Sequence, residues 1–224
     1  MKFKTLITVA ALTLCTTAWA QEASRDESSF VGRYDGGSFE TAMGMVIEAD
    51  GSFRWGLSVG SLDARATGHW AEKDGVITFT SDPKPVPPQF TLARVEPTKD
   101  GPAFRIVWAG TDRPFQYARV YGLCANGETV YDYVSEGDWT PGEECDRLEK
   151  VAFHMRSYDI QSEAFDVSAH STANARGTMH FEFHRNDLGV VDFDEATGRF
   201  VDGILEVNGP LGSMTFRKVE VPAE

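Results

Sequence analysis

The residue types best suited to chemistry fall in residues 179–184, "MHFEFH", where His180, Glu182 and His184 alternate with Met179, Phe181 and Phe183. In an extended strand the three polar side chains share one face, roughly 7 Å from one to the next. Two imidazoles at that spacing can ligate a zinc ion, with Glu182 as a third ligand and His154 or His170 as a fourth. An amphipathic strand that turns Met179, Phe181 and Phe183 to the core produces the same pattern without a metal. That reading, with the histidines facing water, is the expectation. Asp192, Asp194 and Glu195 lie in "VDFDEATG". They offer hard oxygen ligands of the kind calcium takes, but Ala196 stands where a further oxygen is needed.

A second group is aromatic. In "YDYVSEGDW", Tyr131, Tyr133 and Trp139 stand near Asp132 and Asp138. Such rings can stack on sugars while the carboxylates accept hydroxyl hydrogen bonds, so these three residues form a possible ligand surface; the plainer expectation packs Tyr131 and Tyr133 on the core from one strand face, with Trp139 covering the cysteine pair. Nucleophilic catalysis finds no pattern: G-x-S-x-G is absent, and no glycine-rich phosphate loop precedes a helix. No catalytic residue is assigned and no cofactor is expected.

Period-two patterning supplies the elements that would carry these side chains. Phe53, Trp55 and Leu57 alternate with Arg54, Gly56 and Ser58; Phe104, Ile106 and Trp108 alternate with Arg105 and Val107. Such alternation predicts half-buried antiparallel strands. Asp50-Gly51, Asp74-Gly75, Asp100-Gly101, Asn126-Gly127, Asp202-Gly203 and Asn208-Gly209 supply hairpin turns. No stretch keeps helical periodicity over three turns, so the chain is predicted to be all-β with about 14 strands.

Residues 30–111 read as a regular antiparallel meander or barrel, for which Met43, Met45, Phe53, Trp55, Leu57, Trp70 and Trp108 are candidate lining residues. Residues 113–185 have longer strands and connections, which suits an immunoglobulin-like β-sandwich. Residues 186–220 return to short strands and tight turns. The tail is expected to complete the opening barrel, with the sandwich as an insertion, although two sequential domains fit the chain order nearly as well. Cys124 and Cys145 bracket part of the middle segment and are expected to pair in an oxidising compartment.

That compartment is indicated by residues 1–20. Lys2 and Lys4 precede an apolar stretch, and "AWA" ends at Ala20 with small residues where a signal peptidase reads. Cleavage there yields a periplasmic or secreted chain, and no later segment is apolar for long enough to span a bilayer. The 34 acidic residues outnumber the 21 basic ones, for a formal net charge of −13. A surface so acidic repels phosphate backbones, so nucleic acid is not an expected partner.

The cadence of "FVGRYDGGSFETAMGMVIEADGSFRWGLS" and "ATGHWAEKDGVITFTSD" resembles the opening of lipocalin-like small barrels. Together with "NDLGVVDF" it is also similar to a group of uncharacterised secreted proteins of alphaproteobacteria. Residues 115–183 resemble transthyretin-like modules. These resemblances imply a lipocalin-like barrel joined to an immunoglobulin- or transthyretin-like sandwich, and bring no catalytic or ligand residue with them. The function expected is a non-enzymatic binding or accessory module of the cell envelope, with a small molecule, a glycan or an envelope protein as partner. The alternatives are a metal-binding protein using His180, Glu182 and His184, or a glycan-active enzyme using acidic residues.

Overall fold

The structure is a computed structural model that describes residues 30–98, 101–172 and 175–220. The expected signal peptide lies outside the described residues. The chain opens with β1 (Gly32–Asp35), β2 (Thr41–Ile47), β3 (Ser52–Val59), β4 (Leu62–Lys73) and β5 (Val76–Ser81). The middle holds β6 (Gln89–Pro97), β7 (Phe104–Trp108), β8 (Arg119–Cys124), β9 (Thr129–Tyr133) and β10 (Asp138–Trp139). It continues with β11 (Leu148–Met155), β12 (Ile160–Gln161), β13 (Phe165–Asp166), β14 (Ser171–Thr172) and β15 (Ala175–His184). The tail supplies β16 (Ala196–Val201), β17 (Ile204–Gly209) and β18 (Gly212–Lys218). The all-β expectation is borne out. Four of the described strands, β10, β12, β13 and β14, are two residues long, too short for periodicity to announce.

Strands from both ends of the chain close one antiparallel barrel in the order β1-β18-β17-β16-β5-β4-β3-β2. Local chemistry sets its hairpins. Asp74 (φ 54°) with Gly75 (φ 76°), and Asp202 (φ 50°) with Gly203 (φ 79°), form two-residue turns with both φ angles positive. Such turns match the right-handed twist of the strands they join. Alternation then fills the interior: Phe53 and Trp55 point in from β3, Ile77 and Phe79 from β5, Leu205 and Val207 from β17. Phe193, from the connection before β16, enters the same core.

The meander expected to run to residue 111 leaves the barrel after β5. Strand β6 pairs antiparallel with β15, and β7 pairs parallel with the other side of β15. Alternation fixes which side of a strand is buried; it carries no information about the partner strand. Strand β10 extends this sheet from β7, and β14 pairs with the start of β15. A second sheet runs β12-β11-β8-β9, with β13 also on β11. The two sheets share one core, in which Phe90, Phe104, Phe181 and Phe183 meet Val120, Leu148, Val151 and Phe153. The expected Cys124–Cys145 disulfide borders it.

Residues 186–193 tie this core to the barrel. Leu188 packs against the two-sheet core and Phe193 against the barrel core. Between them, the Arg65 N–H donates to the Gly189 carbonyl and the Val191 N–H to the Arg65 carbonyl, both at 2.8 Å. The Asp187 carboxylate accepts from the Val86 N–H at 2.8 Å. Among the described residues no helix is long and apolar enough to cross a membrane.

Candidate ligand-binding face

The outer face of the β11-β8-β9 sheet is assembled by alternation. In β8, Val120, Gly122 and Cys124 point inward, which turns Arg119, Tyr121 and Leu123 outward. In β9, Val130 is buried and Thr129, Tyr131 and Tyr133 face out. Strand β11 buries Val151, Phe153 and Met155, leaving Lys150, Ala152 and His154 outside; a register shift between Leu148 and Lys150 lets Leu148 face the core as well. Register then lines these side chains up in rows: His154 beside Arg119 beside Tyr133, then Ala152 beside Tyr121 beside Tyr131, then Lys150 beside Leu123 beside Thr129.

The aromatic part of this face is open to solvent. Tyr121, Tyr131 and Tyr133 are 43%, 51% and 57% exposed. The rings of Tyr121 and Tyr131 are 5.0 Å apart, and those of Tyr131 and Tyr133 6.5 Å. The Arg119 guanidinium lies 4.7 Å from the Tyr133 ring centre and 5.4 Å from that of Tyr131, within cation–π range. It also donates a hydrogen bond to the Tyr133 hydroxyl. The cation thus contacts two of the tyrosines, which remain about half exposed. Rigid, amphipathic rings of this kind give contact area at low entropic cost and offer phenolic donors and acceptors. Burial of tyrosines against the core would be the ordinary outcome in a strand; here the alternation places them on the wet side.

Trp139, a candidate for the same surface, is not there. It is buried, stacks on Phe104 with ring centres 5.0 Å apart, and its Nε1–H donates to Asp132 at 3.3 Å. The cause is the short strand β10: pairing Trp139 with Phe104 on β7 turns the indole into the core. Two members of the face, Arg119 and Tyr121, were missed by the sequence reading. The signal was available in "ARVYGLC", where Val120, Gly122 and Cys124 leave Arg119 and Tyr121 on the opposite side.

His180, Glu182 and His184 do share the outer face of β15, with Met179, Phe181 and Phe183 in the core. His180, however, is buried at 6% exposure instead of wet. Arg94 on β6 and Arg105 on β7 stand in register on either side of it, and their long stems cover such a position. The His180 Nε2 lies 3.1 Å from Glu96. His184 turns instead to Thr91, at 3.0 Å, with Glu182 at 3.6 Å. Arg105 makes a two-pronged pair with Asp138 at 2.6 and 2.7 Å. Of the residues lining the adjoining groove of about 340 Å³, Arg105, His180 and Glu182 thus have partners of opposite charge, and Arg94 and Asp112 line it as well. Among the described residues no group of three histidine, cysteine or acidic side chains is arranged to hold a metal ion. Asp192 and Asp194 instead flank Lys84, at 3.6 and 3.2 Å.

Of the candidate barrel residues, Met45, Phe53 and Trp55 lie in the barrel core, and Met43, Leu57 and Trp70 pack at its margin. Trp108 does not belong there. It follows β7 into the other core, against Phe115 and Phe183 with ring centres at 5.0 and 5.4 Å.

Compared with known proteins, the chain matches no protein-family model, and no curated protein is significantly similar to it.

Proposed function

We propose that the protein is an exported, non-enzymatic binding module of the cell envelope whose tyrosine face takes a saccharide. The observation that carries this reading is the group Arg119, Tyr121, Tyr131 and Tyr133: three exposed rings on one sheet face, two of them braced by a guanidinium. Sugar rings present apolar C–H faces ringed by hydroxyls, and exposed tyrosines match both features. The signal-like residues 1–20 and the Cys124–Cys145 disulfide support an extracytoplasmic location, periplasmic or secreted. In this reading the barrel is lipocalin-like and the two-sheet unit is an immunoglobulin- or transthyretin-like sandwich inserted into it. The barrel then serves as a filled scaffold, with the sandwich presenting the ligand face.

A glycan array tests the reading. The wild-type chain binds one or more saccharides, Tyr131→Ala and Tyr133→Ala each weaken binding about tenfold, and Tyr117→Ala, which removes an exposed tyrosine whose ring lies against Trp108 and Phe115, leaves it unchanged. Binding that survives the loss of Tyr131, or no binding to any saccharide, sinks it. Amino-terminal sequencing of the exported protein tests the location, with Gln21 as the expected first residue.

A further inference from the structure

We infer that the saccharide is an acidic one: a uronate-bearing polysaccharide whose rings lie on Tyr121, Tyr131 and Tyr133 while its carboxylates meet Arg119 and Lys150. This inference rests on the saccharide reading above and adds to it the charge of the ligand.

The chain carries a formal net charge of −13, so a patch of its surface taken at random is acidic. The outward positions of β8, β9 and β11 break that trend. They hold Arg119, Lys150 and His154 beside the three tyrosines, and at the register shift Glu149 shares the outer side of β11 with Lys150. Neither acid within these strands stands free beside the tyrosines. Asp132 turns toward Trp139, and Glu149, at the register shift, pairs with Arg147 at 3.1 Å. Two carboxylates stand at the border. Asp166 is opposite Lys150 and is held by the Ser168 hydroxyl and N–H at 2.6 and 3.0 Å; Asp159 lies 3.0 Å from His154. Both belong to the far side of β11, away from the tyrosines.

Arg119 is the centre of the site. Its guanidinium has five N–H donors, and among the described residues it forms no ion pair with a carboxylate. Stacking on Tyr131 and Tyr133 fixes its plane, and a fixed guanidinium fork is matched in geometry to a carboxylate. The acidic remainder of the molecule does not cancel this attraction, because at physiological salt charges beyond about 8 Å are largely screened. An exposed sheet face suits a polymer laid across it more than an enclosed small ligand.

The test uses the full exported chain and two forms of one backbone: oligogalacturonate, and the same oligomer with its carboxylates methyl-esterified. Titration calorimetry at low and high ionic strength is expected to show the acid form binding about tenfold tighter, with the preference shrinking as salt rises. Arg119→Gln weakens the acid form more than the ester and so narrows the preference, whereas Tyr131→Ala weakens both alike; circular dichroism checks that each variant folds. Equal affinity for acid and ester overturns the inference and leaves the saccharide reading standing. Binding to neither form overturns the inference, and the glycan array then decides the saccharide reading. Tighter binding of a single-stranded DNA oligomer than of oligogalacturonate shows that the cations serve phosphate, and also overturns the inference.

Discussion

Phe193 lies inside the barrel with its ring centre 5.2 Å from that of Trp55, although it enters from a connection distant in sequence. Phe53 and Phe79 complete the cluster, at 5.6 and 6.2 Å from Phe193. One side chain from the linking segment thus fills space that the barrel strands leave. Phe193→Ala is expected to lower the unfolding free energy by about 3–5 kcal/mol, the usual effect of emptying a packed aromatic site. Chemical denaturation followed by tryptophan fluorescence measures this. A loss below about 1 kcal/mol means that the barrel packs adequately without the plug.

Close approach of backbones makes a second residue intolerant of change. Gly68 on β4 faces inward between Phe53 and Ser81, and a Cβ built there would lie 2.0 Å from the Thr80 carbonyl oxygen and 2.8 Å from the Asp82 nitrogen. Both neighbours are backbone, so neither yields cheaply. Gly68→Ala is expected to cost about 1–3 kcal/mol or more. Gly56→Ala serves as the control, since its nearest neighbour would be the Ala64 carbonyl oxygen at 3.9 Å. That change is expected to stay within about 0.5 kcal/mol of wild type. Similar thermal midpoints for the two variants would rule out the close approach at Gly68.

The strands were legible in the sequence because their signals are local. Alternation at Phe53, Trp55 and Leu57, and Asp-Gly at residues 74–75 and 202–203, act within a few residues of themselves. Partner choice is not local. Nothing in Phe104, Ile106 and Trp108 says that β7 lies parallel to β15 instead of continuing the barrel meander, so Trp108 was placed in the wrong core. Trp139 was misplaced for a related reason: a two-residue strand has no period to read, and pairing with Phe104 decides which way the indole points. His180 shows the limit from the other side. Its orientation away from Phe181 was legible, but the strands that flank it, β6 with Arg94 and β7 with Arg105 in register, are supplied from elsewhere in the chain. The tyrosine face was half legible, because Tyr131 and Tyr133 alternate visibly while their row partners Tyr121 and Arg119 come from a strand whose register only the fold reveals.

The disulfide sets a third expectation. Cys124 and Cys145, 21 residues apart, are both buried at the edge of the two-sheet core. Closing that loop removes conformations from the unfolded chain, and the paired substitution Cys124→Ala, Cys145→Ala is expected to cost about 3 kcal/mol. Guanidinium melts of wild type with and without reductant give the same difference by an independent route. A reduced protein as stable as the oxidised one would show that the loop is already ordered by the core.

Tyr34 provides a titration that reports on the barrel. Its side chain is 3% exposed and its hydroxyl donates to the Phe30 carbonyl at 2.6 Å. Burial penalises the phenolate and pushes the pKa up from 10.0 to about 12. The folded state therefore holds this proton more tightly than the unfolded state does. The corresponding stability is fully present below pH about 10 and is lost as pH rises through about 12, at roughly 2–3 kcal/mol. Tyr34→Phe removes both the proton and the hydrogen bond. At neutral pH the variant is expected to be less stable by about 1 kcal/mol. Between pH 10 and 12 its stability should fall less steeply than that of wild type, so that the gap closes and the two curves cross. Urea melts across that range, with absorbance at the tyrosinate band to follow ionisation, measure both effects. Parallel curves would mean that Tyr34 ionises as freely in the barrel as in the unfolded chain.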